Sequence, residues 1–412
     1  MLQLGKIAFR NILKNNRRSS VTVLAITMGF AAVSLFRGYT YNSFERLRES
    51  AIRGEGLGHL TLFRNGWRQK AKVKPELHMF SNAEVQNIID LVKKDEDVIL
   101  ATPQINIEGL ASNGRISSIF LARGVVPGDD KIIKGPFASR RPVKGDILSD
   151  TRPAGVEMAE GLASILGLEP GSDGVVMATT YEGQMNALDF EVLGVYDTGT
   201  AATNDKYIRV PFIFAQSLYE TDKADRVVVL LNNWRKTEDV RKRLMQKLAH
   251  AGFDCEIMTW NELSLFYSQV KGMFDMIFLF LFIIVFIIVV TSIVNTMGMA
   301  VIERTREIGT LRALGLKRRG VSILFGLEGA FLGFLGSLGG VVVTIVAWTI
   351  IKIIRPTYIP PGISTEVPLV VTLLPGTMVG LLVFLIFLSV IASVGPARRA
   401  AHKMIVDALG HV

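Results

Sequence analysis

A single cysteine, Cys255, is all the sulfur chemistry the chain has for cross-links, so an internal disulfide and a thiolate metal cluster are both excluded. Its five histidines, His59, His78, His250, His402 and His411, share no metal-ligand spacing. No Gly-x-x-x-x-Gly-Lys-Ser/Thr, Gly-x-Ser-x-Gly, His-Glu-x-x-His or Cys-x-x-Cys motif occurs, so no catalysis is expected of this chain alone. Acidic residues are missing around Lys6, Arg10, Lys14, Arg17 and Arg18. Basic patches interleaved with aromatics are missing too, and without them the net charge of +9 does not read as nucleic-acid binding. No small-x-small cleavage pattern follows the first apolar run, so that run is expected to stay as an anchor.

What remains is an uneven distribution of apolar sequence. Of 412 residues, 49% are hydrophobic and 20% charged, with a mean hydropathy of +0.36. This is too apolar for an ordinary soluble chain and too charged for membrane helices alone, so the two kinds of sequence must be segregated. Apolar spans lie near 20–36, 274–299, 321–351 and 369–394, with a long polar stretch between the first and second. Basic residues gather before the first span, between the second and third (Arg304, Arg306, Arg312, Lys317, Arg318, Arg319) and after the fourth (Arg398, Arg399, Lys403). The positive-inside rule then puts both termini and the 301–320 loop in the cytoplasm, and the polar stretch on the far side.

Residues 4–16 place Leu4, Ile7, Ala8 and Ile12 on one face and Lys6, Arg10 and Lys14 elsewhere, the pattern of a helix lying in the headgroup plane. A helix over 20–53 would be roughly 50 Å long against a hydrocarbon core of roughly 30 Å, so its end projects as a stalk until the glycines at 54, 56 and 58 stop it. Thr259-Trp260-Asn261-Glu262 has the form of a capping box and predicts a second stalk leading into the second span. The alternative is a break at Gly38 and Gly272, with the domain on flexible linkers. Strand composition marks 59–63, 116–121, 174–178, 190–196, 207–211 and 226–231, and helical stretches intervene at 81–94, 157–166, 212–219 and 236–251, predicting an α+β domain. The glycines of 167–174 read as a turn rather than a phosphate cradle.

The third span carries Gly329, Gly333, Gly336 and Gly340 along one helix face, where another backbone can approach closely. Glu328 lies roughly 12 Å from its cytoplasmic end by helix rise. It is either a functional carboxylate or one paired with a headgroup or basic neighbour. A proline-rich external loop, 355–364, precedes the fourth span. Between the second and third spans, Ile302, Ile308, Leu311 and Leu314 form an apolar stripe among Glu303, Arg304, Arg306, Glu307 and Arg312, as in a short helix that docks into a partner's groove.

The string Asn295-Thr-Met with Glu303-Arg-Thr-Arg-Glu-Ile-Gly309, Leu311-Arg-Ala-Leu-Gly315 and Glu328-Gly329 resembles the signature of the FtsX-like permease domain shared by the MacB, LolC/LolE and FtsX membrane subunits of ABC transporters. Ala8-Phe-Arg-Asn-Ile12 resembles that family's elbow, and Gly395-Pro-Ala-Arg-Arg-Ala-Ala401 the end of its last membrane helix. The polar stretch resembles the MacB-type periplasmic core more loosely. After Ala401 the chain departs from the family, which often has a proline before its Glu/Asp-Ala-Leu; here His402-Lys-Met-Ile-Val precedes Asp407-Ala-Leu. Domain size and the entry to the second span make the LolC/LolE lipoprotein-releasing subunits the nearest subfamily.

The resemblance implies an α-helical membrane domain of four transmembrane helices with a large α+β extracytoplasmic domain, the MacB-like periplasmic core, inserted between the first and second. The expected order is a cytoplasmic elbow helix (1–18), first span and stalk (19–53), periplasmic domain (54–258), stalk and second span (259–300), cytoplasmic coupling helix (301–320), third span (321–351), periplasmic loop (352–368), fourth span (369–395) and cytoplasmic tail (396–412) in the inner membrane. It also implies mechanotransmission: a separate ABC ATPase dimer, which holds the ATP and Mg that this chain does not, grips Glu303, Arg304, Arg306, Glu307, Ile308, Gly309, Leu311, Arg312, Leu314 and Gly315. A second permease copy or paralogue would supply the other docking site, with a periplasmic lipoprotein chaperone or adaptor as an external partner. Phe30, Val33, Phe36, Phe274 and Phe278 are the expected contacts for a lipid-like cargo, with ordinary helix packing as their alternative role. Two other outputs stay open: activation of a cell-wall hydrolase, and efflux of a peptide or drug through an outer-membrane channel.

Overall fold

The computed structural model describes residues 2–14, 16–70, 74–135, 144–199, 201–360 and 366–402. The chain divides into two compact units, one of residues 1–44, 271–357 and 368–412, the other of 45–270 and 358–367. Most of the expected cytoplasmic tail and part of the 355–364 loop lie outside the described residues.

The second unit is built on one mixed sheet of ten described strands: β1 (Leu60–Arg64), β2 (Val98–Ser112), β3 (Ser117–Val125), β4 (Lys144–Gly145), β5 (Gly155–Ala159), β6 (Asp173–Thr179), β7 (Met185–Tyr196), β8 (Tyr207–Pro211), β9 (Arg226–Leu231) and β10 (Cys255–Thr259). Their order is β10-β1-β9-β2-β3-β8-β5-β7-β4, with β6 pairing β2 and β7. The β3–β8 and β5–β7 pairs are parallel, and the hairpin β2–β3 runs in register from Gln104 opposite Val125 to Ser112 opposite Ser117. Asn113 makes its turn, its Oδ1 accepting the Arg115 and Ile116 amides at 2.8 Å each.

Two cores fill this unit. The helix Asn82–Val92 starts at a capping box of Ser81 and Glu84 and turns Val85, Ile88, Ile89 and Val92 inward at helical spacing. These meet Leu60, Leu62, Val227, Val229 and Ile257 of the sheet and Val240, Leu244 and Leu248 of the helix Thr237–His250. The other core joins the helices Glu160–Leu166 and Phe212–Tyr219 to β2, β3 and β5 to β8 around Ile105, Phe120, Val156, Phe190 and Ile208.

The predicted helix 157–166 is strand β5 up to Ala159 and a helix only from Glu160, and β2, β10 and the helix Pro127–Lys134 were not anticipated. The capping box at Thr259 is present, but the helix it opens, Trp260–Leu263, stops at Ser264 before the next begins at Leu265. A π-helical turn, Ser50–Gly54, follows Asn16–Glu49 and tucks Ala51 and Ile52 among Leu57, Leu100, Val228, Leu230 and Trp260. Arg53 reinforces it, donating from Nη1 to the Ile133 carbonyl at 2.9 Å.

The other unit contains an N-terminal helix, Leu2–Lys14, and most of four helices long and apolar enough to cross a membrane: Asn16–Gly54 up to residue 44, Leu265–Glu303 from residue 271, Arg318–Ile354 and Pro375–His402. Neither Gly38 nor Gly272 breaks its helix. Gly38 instead permits a close approach: a Cβ there would stand 2.4 Å from the Thr372 carbonyl oxygen, whose residue donates its amide to the Gly38 carbonyl at 3.2 Å. Residues 369–374, expected to open the fourth span, are therefore non-helical, and that helix starts at Pro375. The four glycines of the third long helix serve two neighbours. Added Cβ atoms at Gly329 and Gly333 would meet Ser389, and at Gly336 and Gly340 they would meet Ile26 and Phe30.

Candidate functional site

The long helix Leu265–Glu303 ends where Arg304 leaves the helical conformation (φ −106°, ψ 13°) and caps a short helix, Thr305–Ala313. Gly315, at φ +98°, closes that helix in a conformation other residues rarely adopt, and Arg318–Ile354 follows. Thr305, Ile308 and Gly309 face inward, Thr305 donating its hydroxyl to the Val301 carbonyl at 2.8 Å. Ile302, Glu303, Arg306, Glu307, Leu314 and Gly315 are exposed, Leu314 at 80%, while Leu311 and Arg312 are half-buried. The apolar stripe expected from the sequence is thus divided: Ile308 belongs to the core, and Ile302 and Leu314 face outward.

Arg304 is the main departure. It is buried, and its Nη1 donates to Glu328 Oε1 at 2.8 Å while its Nε donates to Glu307 Oε2 at 3.2 Å. Asn11 of the N-terminal helix donates Nδ2 to the same Glu328 oxygen at 2.7 Å. Between the two readings left open for Glu328, the structure supplies a basic partner, Arg304, rather than leaving the carboxylate alone. The surface adds Arg18–Glu303 at 2.5 Å and Lys14–Glu307 at 3.6 Å. A recess of about 20 Å³ between Asn11, Ser19, Thr296, Arg304 and Glu328 has room for about one water. Removing either partner of a buried pair strands a charge, so this cluster ties the short helix to the third long helix and to the N-terminal helix. Asn11, Lys14 and Arg18 were not foreseen as part of the site, although Asn11 lies in the elbow string 8–12 and Lys14 and Arg18 in the basic cluster before the first span.

The aromatic group is also sorted by the structure. Phe30 and Val33 are buried in the helix core, which removes them as direct cargo contacts. Phe36, Phe274 and Phe278 are half-buried and do come together, with ring centroids 6.3 Å apart for Phe36–Phe274 and 6.2 Å for Phe36–Phe278. Tyr39 and Phe44 extend the cluster against Phe274, and Phe282 extends it against Phe278, with 274, 278 and 282 at helical spacing. The long helix Leu265–Glu303 exposes most of its apolar length, including Leu279, Phe280, Ile283, Ile284 and Ile287.

The MacB-like periplasmic core domain family matches residues 19–247, and the FtsX-like permease C-terminal family matches residues 278–405. The lipoprotein-releasing system transmembrane protein LolC of Neisseria meningitidis serogroup B is 24% identical over 66% of this chain and 67% of its own length. LolC of Xylella fastidiosa strain 9a5c is 26% identical over 79% of this chain and 80% of its own. The uncharacterized ABC transporter permease YvrN of Bacillus subtilis is 23% identical over 99% of both. Four apolar helices in such company mark an inner-membrane protein. With one profile covering more than half of its length and the other its C-terminal helices, the chain belongs to the FtsX-like, MacB-type family of ABC transporter permeases.

Proposed function

We propose that this chain is the membrane subunit of a mechanotransmission-type ABC transporter that releases lipoproteins, or another lipid-like cargo, from the inner membrane. Permeases of this family work with an ATPase subunit. Here a separate ATPase dimer grips the exposed face of Thr305–Ala313 and its flanks, chiefly Arg306, Leu314 and the neighbouring Glu303 and Glu307. The observation that carries this reading is the division of that segment into a solvent-facing side and a buried side locked by Arg304 to Glu328. A handle that is free outside and rigid beneath passes on a push instead of absorbing it. The motion leaves along the first and second long helices, whose far ends belong to the α+β unit on the extracytoplasmic side. The LolC relatives carry the lipoprotein part of the reading, and the half-buried aromatics Phe36, Phe274 and Phe278 are a suitable surface for an acyl chain.

The test is purification of the chain with its associated ATPase, reconstitution in lipid, and assay of ATP-dependent release of an acylated lipoprotein against its non-acylated form. Release of the acylated form alone is expected. ATP turnover without release would overturn the cargo, and absence of any associated ATPase would overturn the coupling.

A further inference from the structure

The N-terminal helix Leu2–Lys14 has one side fastened and another open. Ala8 and Ile12 are buried, Asn11 donates to Glu328, and Phe9 meets Phe331 edge to face at 5.8 Å. At 3.6 residues per turn, Phe9 and Leu13 lie roughly 100° round from the buried side, and Lys6, Arg10 and Lys14 lie roughly opposite it. Phe9 is 44% exposed and Leu13 61%, and all three cations are exposed. The first acidic residue of the chain is Glu45, so nothing near this helix in sequence offsets its charge. Lys14 and the nearby Arg18 reach Glu307 and Glu303, whereas Lys6 and Arg10 make no ion pair among the described residues.

We infer that this face binds the anionic phospholipid headgroups of the leaflet in which the helix lies, Phe9 and Leu13 entering the acyl boundary while Lys6 and Arg10 hold phosphates. The occupant follows from the chemistry. An apolar pair directly beside a cationic edge matches the depth profile of a bilayer surface, and the same unit carries the four helices that put a bilayer there. Each basic residue close to an anionic surface favours the bound state roughly fivefold. The Lys14–Glu307 and Arg18–Glu303 pairs are exposed and therefore weak, so phosphates can displace either acid. Anionic lipid thereby sets how firmly the N-terminal helix holds the coupling segment, a consequence that rests on the function proposed above; the binding itself does not.

The experiment places the full-length chain in nanodiscs of phosphatidylcholine alone and of phosphatidylcholine with about one-third phosphatidylglycerol, and follows amide hydrogen exchange over residues 5–14. Exchange is expected to slow about tenfold or more in the anionic discs, the difference shrinking in high salt and disappearing in the double variant Lys6→Gln, Arg10→Gln. Equal protection in both lipids, or a difference that the double variant leaves intact, overturns the inference. Soluble inorganic phosphate added to the neutral discs is expected to protect nothing, and protection there would overturn the lipid assignment. Because no ATPase is present, failure here leaves the coupling proposal standing, and failure of coupling leaves this result standing.

Discussion

Glu328 accepts two hydrogen bonds on one oxygen from elements that lie 24 and 317 residues away in the chain. Glu328→Ala leaves the Arg304 guanidinium buried with only the half-exposed Glu307 to answer it, and a loss of about 3–5 kcal/mol is expected for such a stranded charge. Glu328→Met combined with Arg304→Met should recover much of that loss, because it removes both charges together. Thermal unfolding of the three variants in detergent checks this, and a double variant no better than the single one would show that the pair is not the link. His59 makes a different residue-scale case. It is buried, its Nδ1 accepts the Leu231 amide at 3.0 Å, and burial, aided by Arg53 and Arg48, lowers it from 6.5 to about 4. The unfolded chain therefore binds a proton that the folded one refuses between those values. Stability from His59 is complete above pH 6.5 and falls as pH drops toward about 4, by about 3 kcal/mol in all. Glu157 has the opposite sign: burial raises its carboxyl, so its contribution is present in acid and fades as pH rises. Hydrogen exchange of β1 and β9 at pH 7.5 and about pH 5 isolates the histidine: His59→Gln should flatten much of the acid loss of protection.

At the scale of the element, the short helix Thr305–Ala313 separates two kinds of substitution. Arg306→Glu with Leu314→Asp alters only exposed side chains, so folding stability should shift by no more than about 0.5 kcal/mol. On the proposed coupling, the pair should nevertheless weaken association with the ATPase by roughly tenfold or more. Arg304→Glu should do the reverse first, lowering stability because it sets two carboxylates against each other at Glu328. Melting curves beside co-purification yields distinguish the two, and equal melting losses would refute the division of faces. The same helix shows what the sequence conveys. Its existence and its arginines were legible from periodicity, as were six strands and the third-span glycines. Which side is covered was not legible, because Asn11 and Glu328 arrive from distant elements. Strand β2 carries two residues that disfavour a strand interior, yet Pro103 sits opposite Val227 and Gly109 opposite Phe120, and a Cβ at 109 would stand 2.1 Å from the Met177 carbonyl. Residues 157–166 read as one helix, but 157–159 are strand because Glu157 is held by Arg209 and the Leu148 amide inside the sheet, a tertiary contact that outweighs helical propensity.

For the whole molecule, the proposed function turns on which side of the bilayer each part occupies, and the charge distribution makes a prediction. Lys6, Arg10, Lys14, Arg17 and Arg18 precede the first long helix, and Arg304, Arg306, Arg312, Lys317, Arg318 and Arg319 lie between the second and third, whereas the loop between the third and fourth long helices begins with Arg355 and holds one acid, Glu366. A bias of that size sets orientation in short loops, so Leu314 is predicted to lie in the cytoplasm and the α+β unit outside. Thiol labelling tests this directly, because the chain has one native cysteine whose thiol burial pushes up to about 12, leaving it poorly reactive and easily replaced by serine. In a Cys255→Ser background, single cysteines at Ile119, 65% exposed on β3, and at Leu314 offer one probe per side. A membrane-impermeant maleimide applied to intact spheroplasts should label Ile119→Cys and leave Leu314→Cys untouched until the membrane is opened. Labelling of position 314 in sealed spheroplasts would put the coupling segment beyond the reach of any cytoplasmic ATPase, and the charge argument and the proposed stroke would then fail together.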